Sequence, residues 1–247
     1  MTAIVKPRVE LIAHTTLACD GRSPAIEGHM SLDPDAGDAQ QLVEFAGRSC
    51  YQSFHKPNPA TARNKDYIAR TLHSQNHWSI AEHATATFYI TGVSRALLAE
   101  ITRHRHLSFS VLSQRFVDEE DANIVVPPAV RSAKEINEAY YDEELGGGVI
   151  GATENLKVMA NLAIATYAGL VEELQETEGL PRKQAREAAR AVLPNMVETR
   201  IVVTGNMRAW HEVIERRTAP DADAEFQQVA GMIRDELKKL APAIFTD

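Results

Sequence analysis

The sequence predicts an α+β fold. Helical periodicity recurs along the chain, strand alternation appears only in short stretches, and the strict β-α alternation of a doubly wound sheet is absent. The strongest interior breaker, "EELGGGVIG" (143–151), reads as a loop inside one fold, so residues 1–247 are expected to form a single domain.

Taken in order, "VELIA" (9–13) reads as a short strand and the Gly-, Pro- and Asp-rich stretch 19–39 as a loop. Leu42, Val43, Phe45 and Ala46 keep helical spacing and predict a helix from Ala39 to Cys50. "KPNPAT" (56–61) breaks the chain, and a second helix is expected over 60–74. "SIAE" (79–82) has capping-box spacing for a single turn. In "ATATFYI" (84–90), Ala84, Ala86, Phe88 and Ile90 alternate with Thr85, Thr87 and Tyr89, the period of a strand that Gly92 is expected to end. Ser94 is placed to cap the helix "RALLAEIT" (95–102). Leu156, Met159, Ala163, Tyr167, Leu170 and Leu174 predict the apolar stripe of a long helix. A shorter helix follows within 180–194, with Pro at each end, and "TRIVVT" (199–204) is a strand. Helices are then expected over 207–217 and through Phe226, Val229, Ala230, Ile233, Leu237 and Leu240.

A chain of 247 residues supports a substantial core, and 44% hydrophobic with 24% charged residues is a globular composition. A net charge of −8 argues against a general nucleic-acid or membrane-surface binder, which needs broad positive potential. Cys19 and Cys50 are too few for a disulfide framework or a zinc site. The N-terminus lacks a signal-peptide run and no segment reaches transmembrane length, so a cytoplasmic protein is expected.

Against this acidic background stands "RHRHLSFSVLSQR" (103–115). Arg103, His104 and Arg105 are adjacent and repel one another unless an anion neutralises them. Guanidinium groups bind phosphate bidentately, and Ser hydroxyls and backbone N–H groups complete a cradle. A solvated basic loop would account for the charge but not for the interleaved Leu107, Phe109, Val111 and Leu112. In "QNHWSIAEH" (75–83), His77, Glu82 and His83 suit a polar pocket wall; no metal site is expected. Arg182, Arg186 and Arg190 share a helix face. Arg182 and Arg186 read as solvated, with Glu187 pairing with Lys183, whereas Arg190 beside Val192 and Leu193 is expected to be more buried.

In "GNMRAWHEVIERRT" (205–218), Trp210, Val213, Ile214 and Arg217 fall on one helix face and Arg216 points away. An arginine on a buried face needs an anion, because an unpaired buried charge is strongly unfavourable. Glu198 or another carboxylate would satisfy it structurally; a bound ligand would satisfy it functionally.

The stretch 103–115 resembles the signature of the flavin-dependent thymidylate synthases, in which R-H-R is followed by two spaced serines and a final arginine. Arg103, His104, Arg105, Ser108, Ser113 and Arg115 stand at its positions. "HWSIAEH" and "RKQAREAARAVLPNMVETRIVVTGNMRAW" are similar to further blocks of that family, and the resemblance runs from about Leu42 to Phe245. It implies a mixed helical and antiparallel-sheet subunit, a homotetramer with sites shared between subunits, and FAD and dUMP as the anions. By resemblance, Arg103, His104 and Arg105 contact FAD, together with Ser79, Val111, Asn206, Met207, Arg208 and Glu212. Glu100, Ile101, Thr102 and Arg103 face dUMP. Val111, Leu112, Ser113, Gln114 and Arg115 hold the nucleotide, with Ser113, Arg115 and Arg190 at its phosphate, and Arg217 favours ionised N3 of the uracil.

Two positions depart from the family pattern. Val111 stands where Glu or Gln is common, which leaves only backbone contact, and Glu212 stands where Asn or His is common. The family chemistry uses reduced FAD as hydride source, methylenetetrahydrofolate as carbon donor and NADPH as reductant. This suits a chain whose cysteines lack a nucleophile context and whose candidate site is Arg, His and Ser. Two other readings fit the residues less well. A nucleotide- or RNA-binding protein using the RHR run as a phosphate clamp lacks a supporting basic field. A metal-dependent hydrolase on His77, His83, His104 and His106 lacks acidic ligands at metal spacing.

Overall fold

The computed structural model describes residues 2–18, 23–29, 33–55, 63–144 and 146–246. Strand β1 (Arg8–His14) is followed by helices α1 (Pro24–His29) and α2 (Asp38–Tyr51). Helix α3 (Asn64–Ile68) runs into a π-helical turn (Ala69–Ser74), and a 3-10 turn (Trp78–Glu82) leads to β2 (Thr85–Ser94). Next come α4 (Arg95–Ile101), β3 (Leu107–Val111), α5 (Pro128–Ser132) and α6 (Lys134–Asn137). The ribbon of β4 (Tyr140–Asp142) and β5 (Gly147–Val149) precedes α7 (Ala152–Glu176) and α8 (Arg182–Ala189). The chain closes with β6 (Glu198–Asn206), α9 (Met207–Arg217) and α10 (Ala224–Leu240).

A four-stranded antiparallel sheet, ordered β1-β2-β6-β3, organises the molecule. Ala86, Phe88 and Ile90 of β2 and Ile201 and Val203 of β6 are fully buried, as period-2 alternation requires of a sheet with one covered face. Helices α2, α4, α9 and α10 contribute Val43, Leu97, Trp210 and Phe226 to the same core. The Trp210 indole stands edge-on to Phe88 at 5.2 Å and donates to the Ala86 carbonyl at 3.1 Å, so its one polar atom is satisfied.

Two glycines are dictated by close approach. A Cβ at Gly205 would come within 2.4 Å of the Leu107 side chain and 3.1 Å of the Trp210 indole, so glycine lets both side chains pack on β6 as they stand. Gly92 has φ 66° and a Cβ there would meet the Lys6 carbonyl oxygen at 1.9 Å. Gly92 does not end the strand as expected. It forms an irregularity between Ile90 and Val93, after which β2 continues to Ser94.

Other expectations shift for definable reasons. The 19–39 stretch contains the short α1, and the glycine-rich breaker is the turn and return strand of the β4–β5 ribbon. The second helix begins at Asn64 and is π-helical in its second half; residues 56–62 lie outside the described set, as does Cys19. The apolar residues between 107 and 111 are interleaved because this is an edge strand, with Leu107 buried and Ser108 and Ser110 outward. On α7 the inward set is Ala160, Ile164, Tyr167 and Val171, whereas Met159 of the expected stripe is 54% exposed. Tyr167 and Val171 form a second small core with Ala185 and Ala189 of α8, and Val158, Met159 and Leu162 face outward. Among the described residues no helix is long and apolar enough to cross a membrane.

Candidate functional site

The site grows from the two helices that β2 and β6 feed. Ser94 caps α4, its hydroxyl accepting from Leu97 N at 3.0 Å and donating to the buried Glu225 carboxylate at 2.6 Å. Asn206 caps α9 in the same way, accepting from Ala209 N at 2.8 Å. These caps aim the C-terminal end of α4 and the length of α9 at one another. Between them, Arg217 donates from Nη1 to Glu100 at 2.9 Å and from Nε to His104 Nε2 at 3.0 Å. Its guanidinium lies over the Phe226 ring at 4.8 Å, and His104 stands edge-on to the same ring. The carboxylate partner of Arg217 is therefore Glu100, not Glu198. Glu198 instead accepts from Gly92 N and Asn123 Nδ2. Burial, then Arg217 and Arg216, hold the His104 imidazole below its usual value.

Three adjoining cavities open beside this cluster. One of about 210 Å³ is lined by Arg103, His104, Arg105, His106, Glu212 and Arg216 among others. The next, about 170 Å³, shares His106 and Glu212 and adds Glu82, Asn206 and Arg208. The third, about 440 Å³, is walled by Asn76, His77, Trp78, Ser79, Arg208 and His211. Arg216, expected to point away from the apolar face, is exposed but lines the first cavity. Arg208 is held by Glu82 at 2.6 Å and Glu212 at 3.3 Å. Among the described residues, Arg103 and Arg105 have no ion-pair partner. Arg103 and Arg105, on either side of His104 and beside the N-terminus of an eleven-residue helix, give the groove cationic and N–H donors of the kind an anion needs.

Some sequence-predicted residues do not line these cavities. Ile101 and Met207 are fully buried in the core, so their side chains offer nothing to a ligand. Thr102 is exposed, but its hydroxyl donates to the Leu98 carbonyl at 2.9 Å. Val111 closes β3, and Leu112 N donates to the Arg200 carbonyl at 2.9 Å. The segment 111–115 does not line the three cavities. It forms a separate turn in which the Ser113 carbonyl accepts from Phe116 and Val117 N–H, and Gln114 turns inward.

Helix α8 abuts that turn, and here the arginine assignments reverse. Arg190 is exposed, while Arg186 has a side chain only 11% exposed, pairs with Asp118 and donates to the Phe116 carbonyl at 2.8 Å. Glu187 pairs with Arg115 at 3.5 Å rather than with Lys183, whose ammonium sits over the Phe116 ring at 5.0 Å. Arg190 follows the last turn of α8, where the exposed side of the helix continues.

Sequence reasoning missed Trp78 and His211, whose rings stack at 3.7 Å and 9°. Burial lowers the His211 imidazole. No local signal links positions so far apart; only the packing of the 3-10 turn on α9 does. Among the described residues no three His, Cys, Asp or Glu side chains are grouped to hold a metal ion.

Comparison with known proteins shows the family of the chain. The sequence family described as "Thymidylate synthase complementing protein" matches residues 34–243. A flavin-dependent thymidylate synthase of Mycobacteroides abscessus is 47% identical over 253 residues, covering 100% of this chain and 92% of that protein. A probable flavin-dependent thymidylate synthase of Mycobacterium phage L5 is 48% identical over 217 residues, covering 87% and 84%. A thymidylate synthase X of Helicobacter pylori, crystallised with FAD and dUMP, superposes with a TM-score of 0.62 over 98% of this chain and 100% of that chain. Its 20% identity makes this a likeness of fold. With the family model matching residues 34–243 and a relative 47% identical over the whole of this chain, the chain belongs to the flavin-dependent thymidylate synthase family.

Proposed function

We propose that the protein methylates dUMP to dTMP, with 5,10-methylenetetrahydrofolate as carbon donor and NADPH as final reductant. The reaction balances: dUMP, methylenetetrahydrofolate, NADPH and one proton give dTMP, tetrahydrofolate and NADP⁺. The observation that carries the reading is the pair of free arginines, Arg103 and Arg105, beside the Arg217–Glu100–His104 cluster.

The groove residues fit FAD. Arg103, Arg105 and Arg208 with the α9 N-terminus supply cationic and N–H donors for a diphosphate, and Ser79, Trp78 and His211 supply a polar and aromatic wall. When bound, FAD supplies the hydride that completes the methyl group. Arg217, aimed by Glu100 and His104, stabilises negative charge as uracil N3 ionises. Ser113, Arg115 and Arg190 hold the nucleotide phosphate, with the 111–115 backbone and the Glu100–Arg103 turn on the rest of the nucleotide. Gln114 acts through its backbone, since its side chain is buried.

The separation of the 111–115 turn from the groove within one chain supports sites completed between subunits. The outward Val158, Met159 and Leu162 face of α7 supports a homotetramer.

The test is direct. The purified protein should be yellow or bind added FAD, oxidise NADPH faster with dUMP present, and form dTMP when methylenetetrahydrofolate is supplied. A colourless protein that neither binds FAD nor consumes NADPH overturns the proposal.

A further inference from the structure

Beneath the 113–115 turn lies a set of buried polar groups that the reaction above does not use. Glu119 is 4% exposed and Gln114 5%. Glu119 Oε1, Gln114 Nε2 and Arg95 Nη1 are each buried without a hydrogen-bond partner. Arg95 opens α4, directly after the Ser94 cap, near enough to Glu119 and Arg190 to feel both charges. Buried polar groups without a well-formed hydrogen bond are unfavourable, and groups held this loosely are free to change partners.

The groups facing Glu119 come from every side. Arg95 approaches from α4, Glu198 from β6 and Tyr167 from α7, with Gln114 and Asp118 on its own loop. Arg186 of α8 is held on Asp118. Burial pushes the Glu119 carboxyl up to about 7, against the pull of Arg95 and of the Gln114 amide, and with Asp118 and Glu198 adding to the rise. Burial also lowers Arg95, Glu119 opposes this, and Arg190 adds to it. Arg95 is thus a cation attracted by an internal carboxylate and repelled by a second arginine.

We infer that Glu119 is an internal counter-anion for Arg95 that the nucleotide phosphate displaces, Arg95 turning to the phosphate while Glu119 takes up a proton. The inference rests on reading Ser113, Arg115 and Arg190 as the phosphate site. The sign follows from linkage. Ionised Glu119 neutralises Arg95 and weakens its pull on phosphate, whereas protonated Glu119 leaves that cation free. Phosphate binding removes the Arg95 interaction that holds Glu119 down, so its affinity for a proton rises. Nucleotide affinity must therefore fall as pH rises through about 7.

Titration calorimetry of the FAD-loaded enzyme with dUMP, in two buffers of different ionisation enthalpy, tests this. At pH 8 the nucleotide phosphate is already dianionic, its second pKa being about 6. Relative to Glu119→Gln, wild type should take up extra protons on binding dUMP. Glu119→Gln, a mimic of the protonated carboxyl, should bind dUMP about fivefold tighter than wild type at pH 8 and equally at pH 6. Deoxyuridine, which lacks the phosphate, should bind both alike. Arg95→Gln should weaken dUMP and abolish the extra uptake, which keeps the test open if Glu119→Gln fails to fold. Equal proton uptake in wild type and variants, or weaker dUMP binding by Glu119→Gln at every pH, overturns the inference and leaves a packing role. Failure of wild type to bind dUMP would instead overturn the phosphate-site reading itself, and the inference with it.

Discussion

The Nε of Arg217 donates to Nε2 of His104 at 3.0 Å, which assigns the imidazole as the neutral tautomer with its proton on Nδ1. A ring nitrogen that accepts from a guanidinium cannot itself carry a proton. The lowered His104 pKa has the same origin, since burial and two arginines oppose a second positive charge. Arg217 is thus balanced by Glu100 and aimed by His104 without being neutralised by the latter.

This arrangement makes Arg217 the most informative substitution. Arg217→Ala should fold and retain FAD yet lose about 10²–10³ in dTMP formation, the usual cost of removing a preorganised donor. Arg217→Lys should recover little, because an ammonium lacks the planar fork that serves Glu100 and His104 together. Arg216 lines a groove cavity and is a poor control; Arg234→Ala, on α10 and paired only with neighbouring Asp235, should match wild type. Activity and melting temperature measured together decide it. Wild-type activity in Arg217→Ala, or loss fully explained by unfolding, would reduce the arginine to a structural ion pair.

Two half-buried imidazoles shape the acid side of stability. Burial holds His104 and His211 below the ordinary imidazole value of about 6.5, so folding favours their neutral forms. That contribution is present above about 6.5 and is lost as pH falls through the lower folded values. Melting temperature should therefore drop between pH 7 and pH 5, and His211→Asn should flatten the drop. Parallel pH profiles for wild type and variant would show that His211 is not the group responsible.

Glu212 is the departure with the clearest consequence. It shares Arg208 with Glu82 and brings negative charge to the wall of an anion-binding groove. Glu212→Gln should tighten FAD binding by about threefold at low salt, with the gain shrinking as ionic strength rises. Flavin fluorescence titrations at two salt concentrations measure this. Equal affinities at low salt would mean that Glu82 alone sets the charge on Arg208.

No thiol is required by the proposed chemistry. Cys50 is an exposed free cysteine at the end of α2, not part of the packed stripe. The Cys19→Ala, Cys50→Ala double variant should keep dTMP formation within about tenfold of wild type. A folded, FAD-loaded double variant that makes no dTMP would contradict the mechanism.

Much of this fold is local and was legible in the sequence. Ala84, Ala86, Phe88 and Ile90 alternate because β2 covers one face of a core, and α9 falls where Trp210, Val213 and Ile214 require it. The Arg217 face was readable from the same 3.6-residue period. What was hidden depends on distant chain. Periodicity cannot choose Glu100 over Glu198 as the partner of Arg217, nor bring Trp78 onto His211. Arg186 and Arg190 lie four residues apart, and only the docking of α8 against Phe116 and Asp118 decides which is covered. The α7 stripe was displaced because that helix has apolar residues on two faces and buries only one within the chain.

Strand β3 separates the arginines at the groove from the turn at Ser113, and its register on β6 runs without interruption from Leu107 to Val111. At about 3.3 Å per residue the strand is a spacer of roughly 13 Å between its first and last Cα. The gap between the RHR run and the serine-arginine end is therefore a length as well as a pattern. Removing one residue from β3 would shorten that length by about 3.3 Å and turn every later side chain to the opposite face of the sheet. A strand that carries the groove arginines at one end and the Ser113 turn at the other fixes the distance between them in its backbone, and tolerates substitution there far better than deletion.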